Sequence, residues 1–177
     1  EKNTRVYIHD AFPCGGCARC RAGDPESCAS MRAAGTAWGG YLRDFVVTDE
    51  TNLSPLPLSV SDNEALFIGI VSLCEAVIDR LNVNKGDHIA VFGGREIGNI
   101  LCQLLIYHQA VPIFIDSDDD SLAIASQCGI YYTVRADEAM EENICRITGG
   151  RLAKDSVYCS GSDLSPSLPF TYTATDG

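Results

Sequence analysis

The stretch from His88 to Asp116 constrains this chain more than any other. His88-Ile89-Ala90-Val91-Phe92 is a short β-branched and aromatic run. Gly93-Gly94-Arg95-Glu96-Ile97-Gly98 follows it, and Ile97, Ile100, Leu101, Leu104 and Leu105 then recur at helical spacing. Val111-Pro112-Ile113-Phe114-Ile115 is a second apolar run and ends on Asp116. The order strand, glycine turn, helix, strand predicts two parallel strands joined by a crossover helix. Such a unit buries its apolar surface as helices layered on a parallel sheet, so the expected fold class is α/β.

A helix that opens on a glycine turn presents backbone N–H groups without partners at the positive end of its dipole, and a pyrophosphate is stabilised there. An acid at the end of the next strand is where a dinucleotide-binding Rossmann fold holds the adenosine ribose. The candidate cofactor-contacting residues are therefore Gly93, Gly94, Arg95, Glu96, Ile97, Gly98 and Asp116. In the fingerprint G-x-G-x-x-G the first glycine serves the tight turn and the third serves helix-to-strand packing. Gly93 and Gly98 fill these places. The second glycine, which lets backbone approach the pyrophosphate, is replaced by Arg95. Two readings of the turn follow: a bound dinucleotide, or a βαβ unit that kept its packing glycines and lost or altered its ligand. If a dinucleotide binds, Asp116 followed by Asp118, Asp119 and Asp120, with no arginine or lysine near them in sequence, predicts NAD rather than NADP.

The second informative motif lies upstream. Cys14, Cys17, Cys20 and Cys28 stand in C-x2-C-x2-C-x7-C, with Gly15, Gly16, Gly23 and Pro25 supplying sharp turns. Four thiolates on a short loop can close the tetrahedral shell of a structural Zn²⁺. Bacterial ferredoxins also open with C-x2-C-x2-C, but their fourth cysteine follows three residues later and precedes proline, whereas Cys28 precedes Ala29. An iron–sulfur cluster and disulfides are the alternatives to zinc.

With 177 residues and 46% apolar side chains, the chain suffices for one large domain or parts of two. A net charge of −11 argues against a nucleic acid or an anionic membrane as partner, since both call for a basic face. No apolar run reaches membrane-spanning length and no basic-then-apolar leader opens the sequence, so neither a membrane span nor a signal peptide is expected. Nine cysteines, four of them bunched, suit a metal site with scattered buried thiols and a reducing cytoplasm better than a secreted disulfide framework.

The remaining elements are predicted from pattern. Arg5 to Ile8 alternates as a strand. Gly35 to Val47 runs through Trp38-Gly39-Gly40-Tyr41 into a strand at Phe45-Val46-Val47, and the proline-punctuated Leu53 to Leu58 is an extended connector. Ser61-Asp62-Asn63-Glu64 is a capping box opening a helix to about Leu81, whose apolar residues cover more than one face, as in a helix buried between two bodies of structure. A short helix around Leu122 to Ala125 stops at Gly129. A strand at Ile130 to Val134, a helix from Ala136 to Ile147 closed by Gly149-Gly150, and a strand at Ser156 to Cys159 ending at Gly161 complete the pattern, while Leu164 to Gly177 has no readable structure.

This order of parts resembles the zinc-containing medium-chain alcohol dehydrogenase family over nearly every residue from Arg5 to Gly161. Ala18-Arg19-Cys20-Arg21-Ala22-Gly23 through Cys28 looks like that family's structural-zinc lobe, and Lys85-Gly86-Asp87-His88-Ile89-Ala90-Val91 looks like the entry to its cofactor domain. The resemblance implies the later part of a GroES-like β domain with its zinc lobe over residues 1–58, then a connecting helix and a partial Rossmann domain over 59–177. It also implies structural zinc, NAD(P)-linked oxidation of an alcohol, polyol or amino-alcohol, and a homo-oligomer. The quinone-reductase-like branch lacks such a cysteine loop.

Three departures accompany the match. The family's catalytic-zinc ligands, a cysteine or acid and a His-Glu pair, precede the lobe and would fall before this chain begins. A third ligand would fall just after Ala65-Leu66-Phe67-Ile68, at Gly69, which has no side chain to offer; Cys74 and Glu75 are the nearby substitutes, by default a buried thiol and a solvated helix residue. The chain also ends before the second Rossmann half, which in the family carries the nicotinamide pocket. Two functions remain open at this level: part of a working dehydrogenase, or a zinc-stabilised binding or interaction module that kept the scaffold and lost the chemistry.

Overall fold

Short strands separated by long turns make up the first of two units into which the chain divides, Glu1–Leu66 and Phe67–Gly177. The computed structural model describes residues 3–37, 39–159 and 164–175; Trp38 and Gly161, singled out above, lie outside them. The elements of the first unit are β1 (Val6–Ile8), β2 (Ala11–Phe12), the helical turn α1 (Ala18–Arg21), β3 (Arg32–Ala33), β4 (Leu53–Pro55) and a second helical turn, α2 (Asp62–Ala65). Strand β1 pairs antiparallel with β4, Tyr7 opposite Ser54, and β2 pairs antiparallel with β3. The expected connector at Leu53 is therefore partly a strand. Pro55, which has no N–H to give, sits at the end of a two-stranded ladder where none is needed. Conversely, the strand expected at Phe45 to Val47 is absent: Phe45 and Val47 are 90% and 102% exposed. With no strand among the described residues to pair with, aromatic and β-branched residues have no pleated surface to fit, and propensity alone does not make a strand.

The capping box is formed as read. Ser61 Oγ accepts the Glu64 N–H at 3.2 Å and Glu64 Oε2 accepts the Ser61 N–H at 2.7 Å. The helix it opens ends at Ala65, however, and a new one, α3 (Ile68–Leu81), begins after a break. Phe67, at φ −92° and ψ −4°, is the N-cap of α3, and its carbonyl accepts the first bond of that helix, from the Val71 N–H at 2.9 Å. Nor is α3 apolar-packed all round. Cys74 and Ile78 are buried in a stripe that faces the next helix, while Leu73 is 55% exposed.

The second unit continues with β5 (His88–Phe92), α4 (Arg95–Tyr107), β6 (Val111–Asp116), α5 (Asp119–Gln127), β7 (Tyr132–Arg135), α6 (Met140–Thr148), β8 (Asp155–Tyr158) and α7 (Leu168–Tyr172). The four strands form one parallel sheet in the order β7-β6-β5-β8. Both faces are covered, which is why β5 and β6 read as unbroken apolar runs. Ile89, Val91 and Phe114 point to one face with Cys74, Leu101, Cys102 and Leu105. Ala90, Phe92, Ile113 and Ile115 point to the other with Met140, Ile144 and Tyr172. Each fully buried isoleucine or phenylalanine is worth about 1.5–3 kcal/mol, so the two faces carry most of this unit's stability. Pro112 is tolerated inside β6 because its nitrogen faces the β7 side one residue before pairing with β7 begins, at Ile113. Three further elements are shifted relative to expectation: β7 and α6 both start and end later, at Tyr132–Arg135 and Met140–Thr148, and β8 starts and ends earlier, at Asp155–Tyr158; the segment without readable structure contains α7, with Pro169 in its first turn. The chain runs outward from β5 through β6 to β7, then returns to place β8 on the other side of β5. That reversal creates a crevice at the carboxyl ends of β5 and β8, the topological switch point of an open α/β sheet.

Candidate cofactor turn and metal lobe

Gly93 and Gly94 lie at that switch point. Gly94, at φ 84° and ψ 9°, is the N-cap of the 13-residue α4 and can be nothing but glycine for two reasons. Its φ is left-handed, and a Cβ added there would collide with the Cβ of Cys159 and stand 3.1 Å from its Sγ. Gly98 packs the helix on the sheet: a Cβ would collide with the Gly93 carbonyl oxygen and lie 2.8 Å from the Phe114 ring. Between them Arg95 is held at φ 40°, a left-handed conformation in a residue that carries a Cβ. The arginine thus occupies a glycine-shaped place. Its guanidinium reaches from α4 to the end of β6, where Nη2 lies 3.3 Å from Asp118 Oδ2. Glu96 and Ile97 are the next residues of α4, and the Ile97 N–H is taken by the Gly94 carbonyl at 2.8 Å.

Asp116 is 4% exposed at the carboxyl end of β6. Its Oδ1 accepts the Asp118 N–H at 3.1 Å and its Oδ2 accepts the Ser121 hydroxyl at 2.9 Å. These two donors fix the orientation of the Asp116 carboxylate. Asp118 in turn caps α5, accepting the Asp120 N–H at 3.2 Å. The acidic run is less bare than its sequence implies, because tertiary structure brings Arg95 to Asp118 and Arg135 to Asp119. The absence of a base nearby in sequence was not absence in space. Arg95, Glu96, Asn99, Ser117, Asp118 and Ser121 line one groove of about 800 Å³ beside the turn.

The two substitutes for a third catalytic ligand are both engaged. Cys74 is 1% exposed with Sγ 3.8 Å from the Ile97 carbonyl oxygen, and burial pushes its thiol pKa up. Glu75 Oε2 lies 2.9 Å from His108 Nε2.

In the first unit, Cys14, Cys17, Cys20 and Cys28 converge on the excursion between β2 and β3, their four Sγ atoms within 4.8 Å of one another. The Sγ of Cys17 is 3.5 Å from that of Cys20 and 3.9 Å from that of Cys28. A tetrahedron with metal–sulfur bonds of about 2.3 Å has sulfurs about 3.8 Å apart, so the set fits one ion. No pair is bonded, and all four are free thiols. Backbone N–H groups aim at sulfur as they do at thiolates: Cys14 at Cys28 Sγ (3.2 Å), Cys17 at Cys14 Sγ (3.3 Å), Cys20 at Cys17 Sγ (3.5 Å). Such donation lowers the pKa of Cys14 and brings that of Cys17 down to about 6, whereas desolvation and then the neighbouring sulfurs push Cys20 up to about 12. Within the excursion only Cys28 is buried, so no apolar core orders it.

A thiol-rich lobe on β structure followed by a Rossmann-type sheet with a glycine turn at its switch point is an arrangement similar to that of zinc-type alcohol dehydrogenases. Comparison with known proteins agrees. The chain is 27% identical over 152 residues to sorbitol dehydrogenase of Halalkalibacterium halodurans, covering 84% of this chain and 44% of that protein. It is 28% identical over 185 residues to the uncharacterized zinc-type alcohol dehydrogenase-like protein YphC of Escherichia coli, covering 100% and 52%. Among solved structures, an NAD-dependent alcohol dehydrogenase superposes with a TM-score of 0.80 at 29% identity, over 98% of this chain and 52% of the other. No family model matches the chain. The resemblance suggested by the cysteine loop and the glycine turn is thus borne out in its relatives, which are zinc-type alcohol and polyol dehydrogenases, and the chain spans about half the length of the curated relatives it matches.

Proposed function

We propose that this chain is the structural-zinc lobe and the adenosine-binding half of a cytoplasmic, homo-oligomeric, NAD-linked alcohol or polyol dehydrogenase. Sorbitol and D-xylulose, named in its relatives, point to polyols as the substrate class. The observation that carries the reading is the joint presence, in one chain, of four convergent thiols and a left-handed glycine turn at the sheet's switch point. Cys14, Cys17, Cys20 and Cys28 would hold one zinc, which closes and orders the lobe. Gly93, Gly94 and the first N–H groups of α4 would receive the pyrophosphate, and Asp116, steadied by Ser121, would orient the ribose. When bound, the nicotinamide dinucleotide supplies the hydride acceptor for alcohol oxidation. The groove beside the turn is short of basic groups and the whole chain carries −11, in keeping with a small-molecule rather than a nucleic-acid partner.

A second reading, a scaffold that lost the chemistry, is favoured by Arg95 in a glycine's conformation and by the engagement of Cys74 and Glu75 elsewhere. Calorimetric titration of the 177-residue protein with NADH and with ADP-ribose separates the two. Saturable one-to-one binding of both supports the dehydrogenase reading; no binding by the wild type or by Arg95→Gly replaces it with the scaffold.

A further inference from the structure

Two turns that are separate in sequence are joined across the carboxyl ends of neighbouring strands. Arg95 stands in the turn after β5 and Asp118 in the turn after β6, and their side chains meet at 3.3 Å. In an open parallel sheet a ligand lies outside the carboxyl ends of the strands, and there the Arg95–Asp118 pair ties the turn that carries Gly94 to the turn that follows Asp116. Both partners reach solvent, the side chains being 68% and 37% exposed, and no other acceptor holds the guanidinium among the described residues. We propose that Asp118 acts as an internal competitor for Arg95, clasping the guanidinium across the dinucleotide site so that binding requires the clasp to open. The inference rests on the dinucleotide reading given above and adds the residue that tunes it.

The physical logic is an exchange. A guanidinium pairs with a carboxylate or with a phosphate through the same planar N–H groups, and it cannot serve both at once. With Asp118 present, an incoming pyrophosphate must displace a carboxylate and move a side chain that starts from a fixed, left-handed backbone. Without it, Arg95 swings clear or turns to the phosphate. Because exposed ion pairs are weak, the clasp is a bias rather than a lock, and its removal tightens binding roughly two- to fivefold.

Removing any carboxylate near an anionic ligand also helps binding, so the test needs a charge control. Asp120 lines the same groove without an ion pair to Arg95. Affinity for ADP-ribose and NADH is measured by calorimetry in the wild type and in Asp118→Asn, Asp120→Asn, Arg95→Gly and Arg95→Gly/Asp118→Asn. The clasp requires Asp118→Asn to exceed Asp120→Asn, and its extra gain to vanish in the Arg95→Gly background. Equal effects of the two asparagines, or an Asp118→Asn gain that persists without Arg95, overturn the clasp while leaving the dinucleotide site standing. No binding by any of the five proteins overturns the dinucleotide reading itself.

Discussion

Gly94 and Cys159 meet at the switch point of the sheet, so closely that a Cβ on the glycine would collide with the Cβ of the cysteine. The turn after β5 is therefore fitted to the end of β8, and the contact explains why the residue between the first and second fingerprint positions is itself a glycine. Gly94→Ala should destabilise the second unit by about 3 kcal/mol, combining a left-handed alanine with overpacking. Adding Cys159→Gly, which removes the opposing Cβ, should restore part of that loss, whereas Cys159→Ala, which keeps it, should not. Urea midpoints of the four proteins decide; a Gly94→Ala protein as stable as the parent would disprove the contact.

Arg95 sits at φ 40° where the fingerprint has its second glycine. Arg95→Gly should stabilise the protein by about 0.5–1 kcal/mol by relieving the left-handed backbone, and should tighten NAD by letting backbone N–H groups close on the pyrophosphate, each such bond to a charged group being worth roughly 1.5–3 kcal/mol. Arg95→Ala keeps a Cβ at the same φ and should do less on both counts. Loss of NAD affinity in Arg95→Gly would make the arginine a phosphate ligand instead.

The lobe has no apolar core of its own, so its order should depend on a metal. Elemental analysis should find one zinc per chain, and Cys20→Ser should lower thermal stability and solubility without altering dinucleotide affinity. Iron with visible absorption, or metal-free protein with all four thiols in disulfides, would reject zinc.

NAD should bind more tightly than NADP, because a 2′-phosphate would approach Asp116, Asp118 and Asp120. Arg95 and Arg135 neutralise two of the neighbouring carboxylates, which narrows the margin. Paired titrations with the two cofactors measure it, and tighter NADP binding would refute the preference.

At the amino ends of β5 and β8, Asp87 Oδ2 accepts from Lys154 Nζ at 2.7 Å and from the Asn84 N–H at 2.7 Å. Burial works to raise its pKa, but the ammonium and the N–H together outweigh it and hold the carboxyl below its ordinary range. A folded pKa below the unfolded one contributes stability that is present above about pH 4 and is lost as pH falls through the folded value. Asp87→Asn should cost about 1 kcal/mol near neutral pH and flatten the acid side of the stability profile. An unchanged profile in denaturant titrations run at neutral pH and again below about pH 4 would show that the pair contributes nothing.

What the sequence determined by itself were features written in local spacing. Val6 to Ile8, the strands at His88 and Val111, the helix from Arg95, the capping box at Ser61 and the four-cysteine loop all announce themselves within a few residues, because periodicity, turn chemistry and ligand spacing act over that range. Tertiary structure alone decided whatever needed a partner from elsewhere in the chain. Leu53 to Pro55 became a strand because β1 lies beside it, and Phe45 to Val47 did not because no strand among the described residues pairs with it. Asp118 and Asp119 read as a bare acidic turn until the fold brought Arg95 and Arg135 to them, and Cys159 was an ordinary strand end until the parallel order set it against Gly94. The reason is common to all four: strand pairing, ion pairing and close packing depend on which distant segments the fold brings together, and that is not a property of any local stretch.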